Sequence, residues 1–202
     1  MVALTRAPDG VLYGVQHGRD QLGDNWGFSD ERNAELPAEE MFRVDEGDDF
    51  GWPYCYYDGG LDRRVLAPEY GGDGSEAGRC AATEPPVATF PAHWAPNGIA
   101  FYEGSQFPAR YQGGAFIAFH GSWNRAPLPQ AGYNVVFVPF VSGAAAAEWE
   151  VFAEGFVEGG DLPGGAEHRP TGLAVGSDGS LYLSDDAGGT IWRIVYDATS
   201  AP

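Results

Sequence analysis

One layout occurs three times in this chain, and it constrains the fold more than any single motif. Val2-Ala3-Leu4 leads through Pro8-Asp9-Gly10 to Val11-Leu12-Tyr13-Gly14-Val15. Asn97-Gly98-Ile99-Ala100-Phe101 leads to Ala115 through Phe119, and Thr171-Gly172-Leu173-Ala174-Val175 leads through Ser177-Asp178-Gly179 to Leu181-Tyr182-Leu183. Each copy is a short apolar strand, a turn and a second apolar strand. Each second strand then runs into a polar cluster: Gln16 to Asp20, His120 to Arg125, and Ser184 to Asp186. Self-similarity of this kind marks a repeated supersecondary unit that buries its apolar face only by stacking on its neighbours.

Further apolar segments complete the units. Met41 to Asp45 and Val87 to Phe90 supply third and fourth strands to the first, and Tyr133 to Val141 and Trp149 to Phe152 do so for the second. The last unit has Thr190 to Tyr196 as its third strand. Four-stranded units in radial repetition predict an all-β fold, a partial β-propeller of about two and three-quarter blades of antiparallel sheet. The whole of 1–202 reads as one such domain, with units at about 1–90, 91–157 and 168–198. Thirty glycines and fifteen prolines fall between the apolar runs as turn punctuation. Only Pro37 to Met41 and Ala144 to Trp149 read as short helices. A closed propeller typically needs about four blades or more, so an open edge and self-association through it are expected.

Twenty-nine acidic against 11 basic side chains leave a net charge of -18. That charge repels a phosphate backbone or an anionic membrane, and excludes nucleic acid as a partner. It is compatible with a divalent cation such as calcium. Cys55 and Cys80 lack the spacing of a zinc site, and a loop-closing disulfide is the preferred reading over two unrelated thiols. A disulfide implies an oxidising compartment, periplasmic or secreted. No apolar run approaches the length of about 18 residues that spans a membrane, and the N-terminus carries no signal-peptide pattern, so an export signal is expected outside this chain.

In a propeller the loops of successive blades converge on the axis, which brings distant clusters together. His17-Gly18-Arg19-Asp20, with Gly23-Asp24 following, fits both a cation site built from backbone carbonyls and a plain Gly/Asp turn. His93 and Trp94 enter the second unit, where a partly exposed structural histidine stacked on tryptophan is the commoner outcome for such a pair. His120-Gly121-Ser122-Trp123-Asn124-Arg125 gathers an imidazole, an indole, an amide and a guanidinium, groups suited to a planar anionic ligand. Arg169 precedes the first strand of the last unit, and Asp185-Asp186 could bind a cation, orient Arg169 or simply end a strand. The G-x-S-x-G elbow, the P-loop and the dinucleotide fingerprint are absent.

Taken in order, His17 to Asp20 with Leu22-Gly23-Asp24, then Phe50-Gly51-Trp52-Pro53-Tyr54-Cys55, His120 to Arg125, Arg169-Pro170 and Ser184 to Asp186 resemble the C-terminal half of the glucose and sorbosone dehydrogenases. These are soluble quinoprotein sugar dehydrogenases. The resemblance implies a six-bladed propeller, with pyrroloquinoline quinone (PQQ) and calcium on the axis and oxidation of an aldose or related aldehyde by hydride transfer to the quinone. It further implies calcium held by the backbone carbonyls of Gly18 and Arg19, quinone lined by His93, His120, Arg125 and Arg169, and a Cys55–Cys80 pairing. The family's general base is implied upstream of this chain, so no catalytic residue is assigned within it. The electron acceptor is unassigned. A calcium-dependent propeller lactonase and a non-catalytic carbohydrate-binding fragment remain open as alternatives.

Overall fold

A computed structural model describes residues 1–146, 148–157 and 166–199. The first unit contains β1 (Ala3–Arg6), β2 (Leu12–Gln16), two short helices α1 (Leu22–Trp26) and α2 (Asp30–Glu35), then β3 (Glu39–Val44), a hairpin of β4 (Cys55–Asp58) and β5 (Arg63–Leu66), and β6 (Ala88–Phe90). The second contains β7 (Pro96–Phe101), β8 (Ala115–Phe119), β9 (Asn134–Val138), a small hairpin of β10 (Phe140–Val141) and β11 (Ala144–Ala145), and β12 (Glu150–Ala153). The third contains β13 (Pro170–Val175), β14 (Leu181–Asp185) and β15 (Thr190–Ile194). The sheets run β1-β2-β3-β6, β7-β8-β9-β12 and β13-β14-β15, all antiparallel.

Local chemistry accounts for the hairpins. The Asp9 carboxylate accepts the Val11 N–H at 3.0 Å, and Asp178 accepts the Ser180 N–H at 3.0 Å, so the first and third units turn on the same Asp-Gly device. Pro139 lacks a donor N–H and interrupts the segment read as one strand from Tyr133 to Val141, splitting β9 from β10.

The first strands of the three units lie side by side, with β7 between β1 and β13. Gly98 permits the closest approach, because a Cβ there would sit 2.4 Å from the Thr171 carbonyl oxygen. Both faces of the middle sheet are buried, and the period of two sorts them. Ala115, Ile117 and Phe119 pack with Tyr13, Val15 and Met41 toward the first sheet, whereas Phe116 and Ala118 pack with Leu181 and Leu183 toward the third. That double burial is why β8 and β9 read as unbroken apolar runs.

Two helical expectations are corrected. Residues 39–41 extend as the head of β3, because Glu39 and Glu40 find partners on opposite faces of the strand, and 144–145 pair as β11 with β10. The helices fall at 22–26 and 30–35 instead, the second capped by Ser29 Oγ, which accepts the Arg32 N–H. The β4–β5 hairpin was not expected. It is closed by the Cys55–Cys80 disulfide, which links residues 25 apart, and such loop closure typically contributes about 2–4 kcal/mol.

Candidate functional site

Register puts the polar clusters at one end of the sheets. The end of β8 faces the start of β7 (Phe119 opposite Pro96), and the end of β14 faces the start of β13 (Asp185 opposite Pro170). The loops after β2 and β8 therefore meet the entries to β7 and β13. They enclose a cavity of about 230 Å³ lined by His17, Gly18, Asp20, Glu39, His93, Ala95, His120, Gly121, Trp123, Asn124 and Arg169.

Each histidine in it has a state set by its partners. His93 is buried, with Nε2 2.7 Å from the Asn33 carbonyl oxygen and Nδ1 3.2 Å from Asp20 Oδ1. Both partners only accept, an arrangement that favours the protonated ring. Burial alone opposes that charge most, but the Asp20 carboxylate, the Asn33 carbonyl and Glu39 outweigh it and raise the His93 pKa. Asp20 also accepts from Asn124 Nδ2 at 2.7 Å, and its bond to His93 draws its carboxyl below the usual range.

His120 takes the opposite role. Arg169 Nη1 lies 3.4 Å from its Nδ1, and a guanidinium only donates, so Nδ1 accepts and Nε2–H donates to Asp186 Oδ1 at 2.9 Å. His17 bonds Asn97 Oδ1 at 2.9 Å, and burial lowers its pKa, favouring the neutral ring.

Arg169 is anchored from behind. Its N–H donates to Asp185 Oδ1 at 2.8 Å, and the same buried carboxylate takes the Ala187 and Gly188 N–H groups and His168 Nδ1. Burial by itself would raise the Asp185 pKa, but these donors outweigh it and hold it down. The guanidinium then reaches the Gly121 carbonyl at 3.2 Å and lies 5.2 Å from the Tyr133 ring. Of the roles open to Asp185-Asp186, holding the arginine and the histidine is the one observed.

Thus Gly18, His93, His120 and Arg169 are brought together. Arg125 is not. The chain turns after Asn124, and Arg125 donates to the Ala34, Ala92 and Pro129 carbonyls at 3.0, 2.8 and 3.2 Å, outside the cavity. It does not line this cavity, and its guanidinium ties three loop carbonyls together. Arg19 is not among the residues lining the cavity, and its side chain pairs with Glu69. Sequence reasoning missed Glu39, which is 2% exposed and accepts the Gly18 N–H at 2.8 Å and the Ala95 N–H at 3.1 Å. Burial pushes its carboxyl up to about 7. Two consecutive acids heading an apolar strand were the signal.

A family model described as TrAA12-like matches residues 1–197. The chain belongs to the TrAA12-like family. An uncharacterized protein of Borreliella burgdorferi is 32% identical over 188 residues, 92% of this chain and 44% of that protein. A PQQ-dependent pyranose dehydrogenase of Coprinopsis cinerea is 34% identical over 125 residues, 54% of this chain and 16% of that enzyme. The calcium structure of the Trichoderma reesei carbohydrate-active enzyme of family AA12 superposes with a TM-score of 0.69 at 24% identity, covering 94% of this chain and 50% of that one. Solved glucose and aldose sugar dehydrogenases share the fold at TM-scores from 0.51 to 0.60. The resemblance to quinoprotein sugar dehydrogenases therefore holds. This TrAA12-like chain spans about half the length, or less, of the relatives it matches.

Proposed function

We propose that this chain is the portion of a quinoprotein sugar dehydrogenase that holds PQQ and calcium, its units 1–90, 91–157 and 168–198 forming consecutive blades of a six-bladed propeller. The observation that carries the reading is the convergence of Arg169, His93 and His120 from two sheets on one cavity, within a chain related to a PQQ-dependent enzyme. The donor set fits the quinone. A guanidinium, the His93 imidazole with its raised pKa and the Asn124 amide suit a planar ligand bearing carboxylates. For calcium, the two Glu39 oxygens accept the Gly18 and Ala95 N–H groups and Asp20 Oδ1 accepts from Asn124 beside His93, so the reading assigns the ion to the carbonyls of Gly18 and Arg19, with the Asp20 carboxylate alongside. The lactonase alternative asks for a cluster of cation-binding carboxylates, and no metal-holding group of three or more His, Cys, Asp or Glu occurs among the described residues.

When bound, PQQ would accept a hydride from an aldose or related aldehyde, with calcium polarising it. The chain's own residues would orient it: Arg169 and His93 through charge, and His120 as an acceptor locked to Arg169. With both nitrogens engaged, His93 and His120 are unsuited to take a substrate proton, in keeping with a general base supplied elsewhere. The disulfide points to an oxidising compartment, periplasmic or extracellular. No helix among the described residues is long and apolar enough to cross a membrane.

Titrating the chain with PQQ and calcium while following cofactor absorbance tests the reading. Saturable binding is expected, weakened at least about tenfold in Arg169→Met by loss of a charge-assisted contact, with little dye reduction when aldoses are added. Failure of the parent chain to bind quinone would overturn it. Among the described residues the sheet of the third unit has three strands where β1-β2-β3-β6 and β7-β8-β9-β12 have four, and Ile191 on its last strand is 73% exposed. Self-association through that edge is expected, and a sharp monomer peak in sizing at high concentration would contradict it.

A further inference from the structure

The segment His93-Trp94-Ala95 has a conformation that its residues do not choose. His93 and Ala95 sit at φ of 65° and 58°, a left-handed region costing of order 1–3 kcal/mol for a non-glycine residue unless neighbours impose it. The imposing contacts can be traced. The Trp94 carbonyl accepts the Gly121 N–H at 2.9 Å, and the Ala95 carbonyl accepts the His120 N–H at 2.9 Å. His93 is fixed by Asn33 and Asp20. The Ala95 N–H goes to Glu39 Oε1, and the other oxygen of the same carboxyl takes the Gly18 N–H. Gly18 is itself pressed on the approach to β3, where an added Cβ would lie 2.9 Å from the Pro37 carbonyl oxygen.

We infer that Glu39 is the positioning residue of the cavity, clamping the Gly18 loop of the first sheet to the His93–Ala95 segment that carries His120 and Gly121 of the second. One side chain thereby sets the relative placement of the loop assigned to calcium and the side chains assigned to the quinone. The ligand identities rest on the function proposed above; the clamp itself does not. Glutamine in place of Glu39 has the same shape but only one accepting atom, and its NH₂ would face a backbone N–H, so at least one of the two bonds is lost.

The test compares Glu39→Gln with Val138→Ala, a core truncation at the opposite end of β9, where Val138 pairs with Ala115. In the ligand-free chain, amide hydrogen exchange at Gly18 and Ala95 is expected to be at least about tenfold faster in E39Q than in the parent and within about twofold in V138A. Affinity for PQQ in the presence of calcium is expected to fall at least about tenfold in E39Q and to stay within about twofold in V138A. Parent-like exchange in E39Q overturns the inference, as does parent-like affinity where the parent binds. If the parent binds no quinone, the proposed function fails while the exchange data still decide the clamp. If E39Q does not fold, the parent decides it: slow exchange at both amides supports the clamp, and exchange at unstructured rates overturns it.

Discussion

Replacing Arg64 by methionine is expected to destabilise the chain by about 3–5 kcal/mol, the usual consequence of removing one partner of a buried ion pair. The Arg64 and Glu40 side chains are 3% and 4% exposed. Arg64 spans the disulfide-closed hairpin and the first sheet, donating to Glu40, the Glu84 carbonyl and Thr83 Oγ1, with its guanidinium 5.2 Å from the Phe42 ring. Methionine fills the space but leaves the Glu40 carboxyl unpaired. Burial already pushes that carboxyl up to about 7 against the pull of Arg64. Since the folded value lies above the unfolded value of 4.5, stability from this group is fully present below 4.5 and is lost as pH rises through about 7. Without Arg64 the folded value rises further, so the deficit of R64M is largest above pH 7 and shrinks as the pH falls. Urea unfolding at several pH values measures it, and a deficit that ignores pH would refute the unpaired-carboxyl explanation. The double variant E40L/R64M is expected to recover most of the loss.

Phe116→Ala is expected to cost a further about 3–5 kcal/mol as a separate variant, through lost burial and the cavity left behind. The ring is fully buried and lies 4.6 Å from Phe152, 5.1 Å from Phe137 and 5.8 Å from Tyr102, where the second sheet meets the third. For a chain of this size that corresponds to a fall in Tm of about 6–20 °C. Calorimetry measures it, and a shift of a degree or two would mean that this interface contributes little to the cooperative fold. Phe116→Leu, which keeps much of the volume, is expected to recover most of the loss.

The strands were legible because their signals are local. Apolar alternation, Asp-Gly turns and the threefold layout all act within a dozen residues, and the structure returns them with small shifts at the ends. The β4–β5 hairpin was hidden because all four residues Cys55 to Asp58 are buried, which erases the alternation of a half-exposed strand. Residues 37–41 were misread for a related reason. Glu39 and Glu40 look like a solvated helical turn until Gly18, Ala95 and Arg64 arrive from elsewhere to take their charge. Arg125 shows the limit of chain adjacency. Adjacency to His120 in the chain did not make it a neighbour in the site, because the turn after Asn124 sends its guanidinium to three carbonyls outside the cavity.

By itself the sequence determined the strand repeat, the acidic surface and the order of motifs that carries the family, because each is written in the types and spacing of nearby residues. Tertiary structure alone decided which polar groups share a cavity and which partners each one meets there. The His93 pKa is raised because two acceptors from other segments meet its ring, His120 is an acceptor because Arg169 reaches its Nδ1, and Glu39 matters because two loops bring their N–H groups to one carboxyl. Protonation and hydrogen-bond roles depend on partners within about 3 Å, and here those partners lie dozens of residues away along the chain.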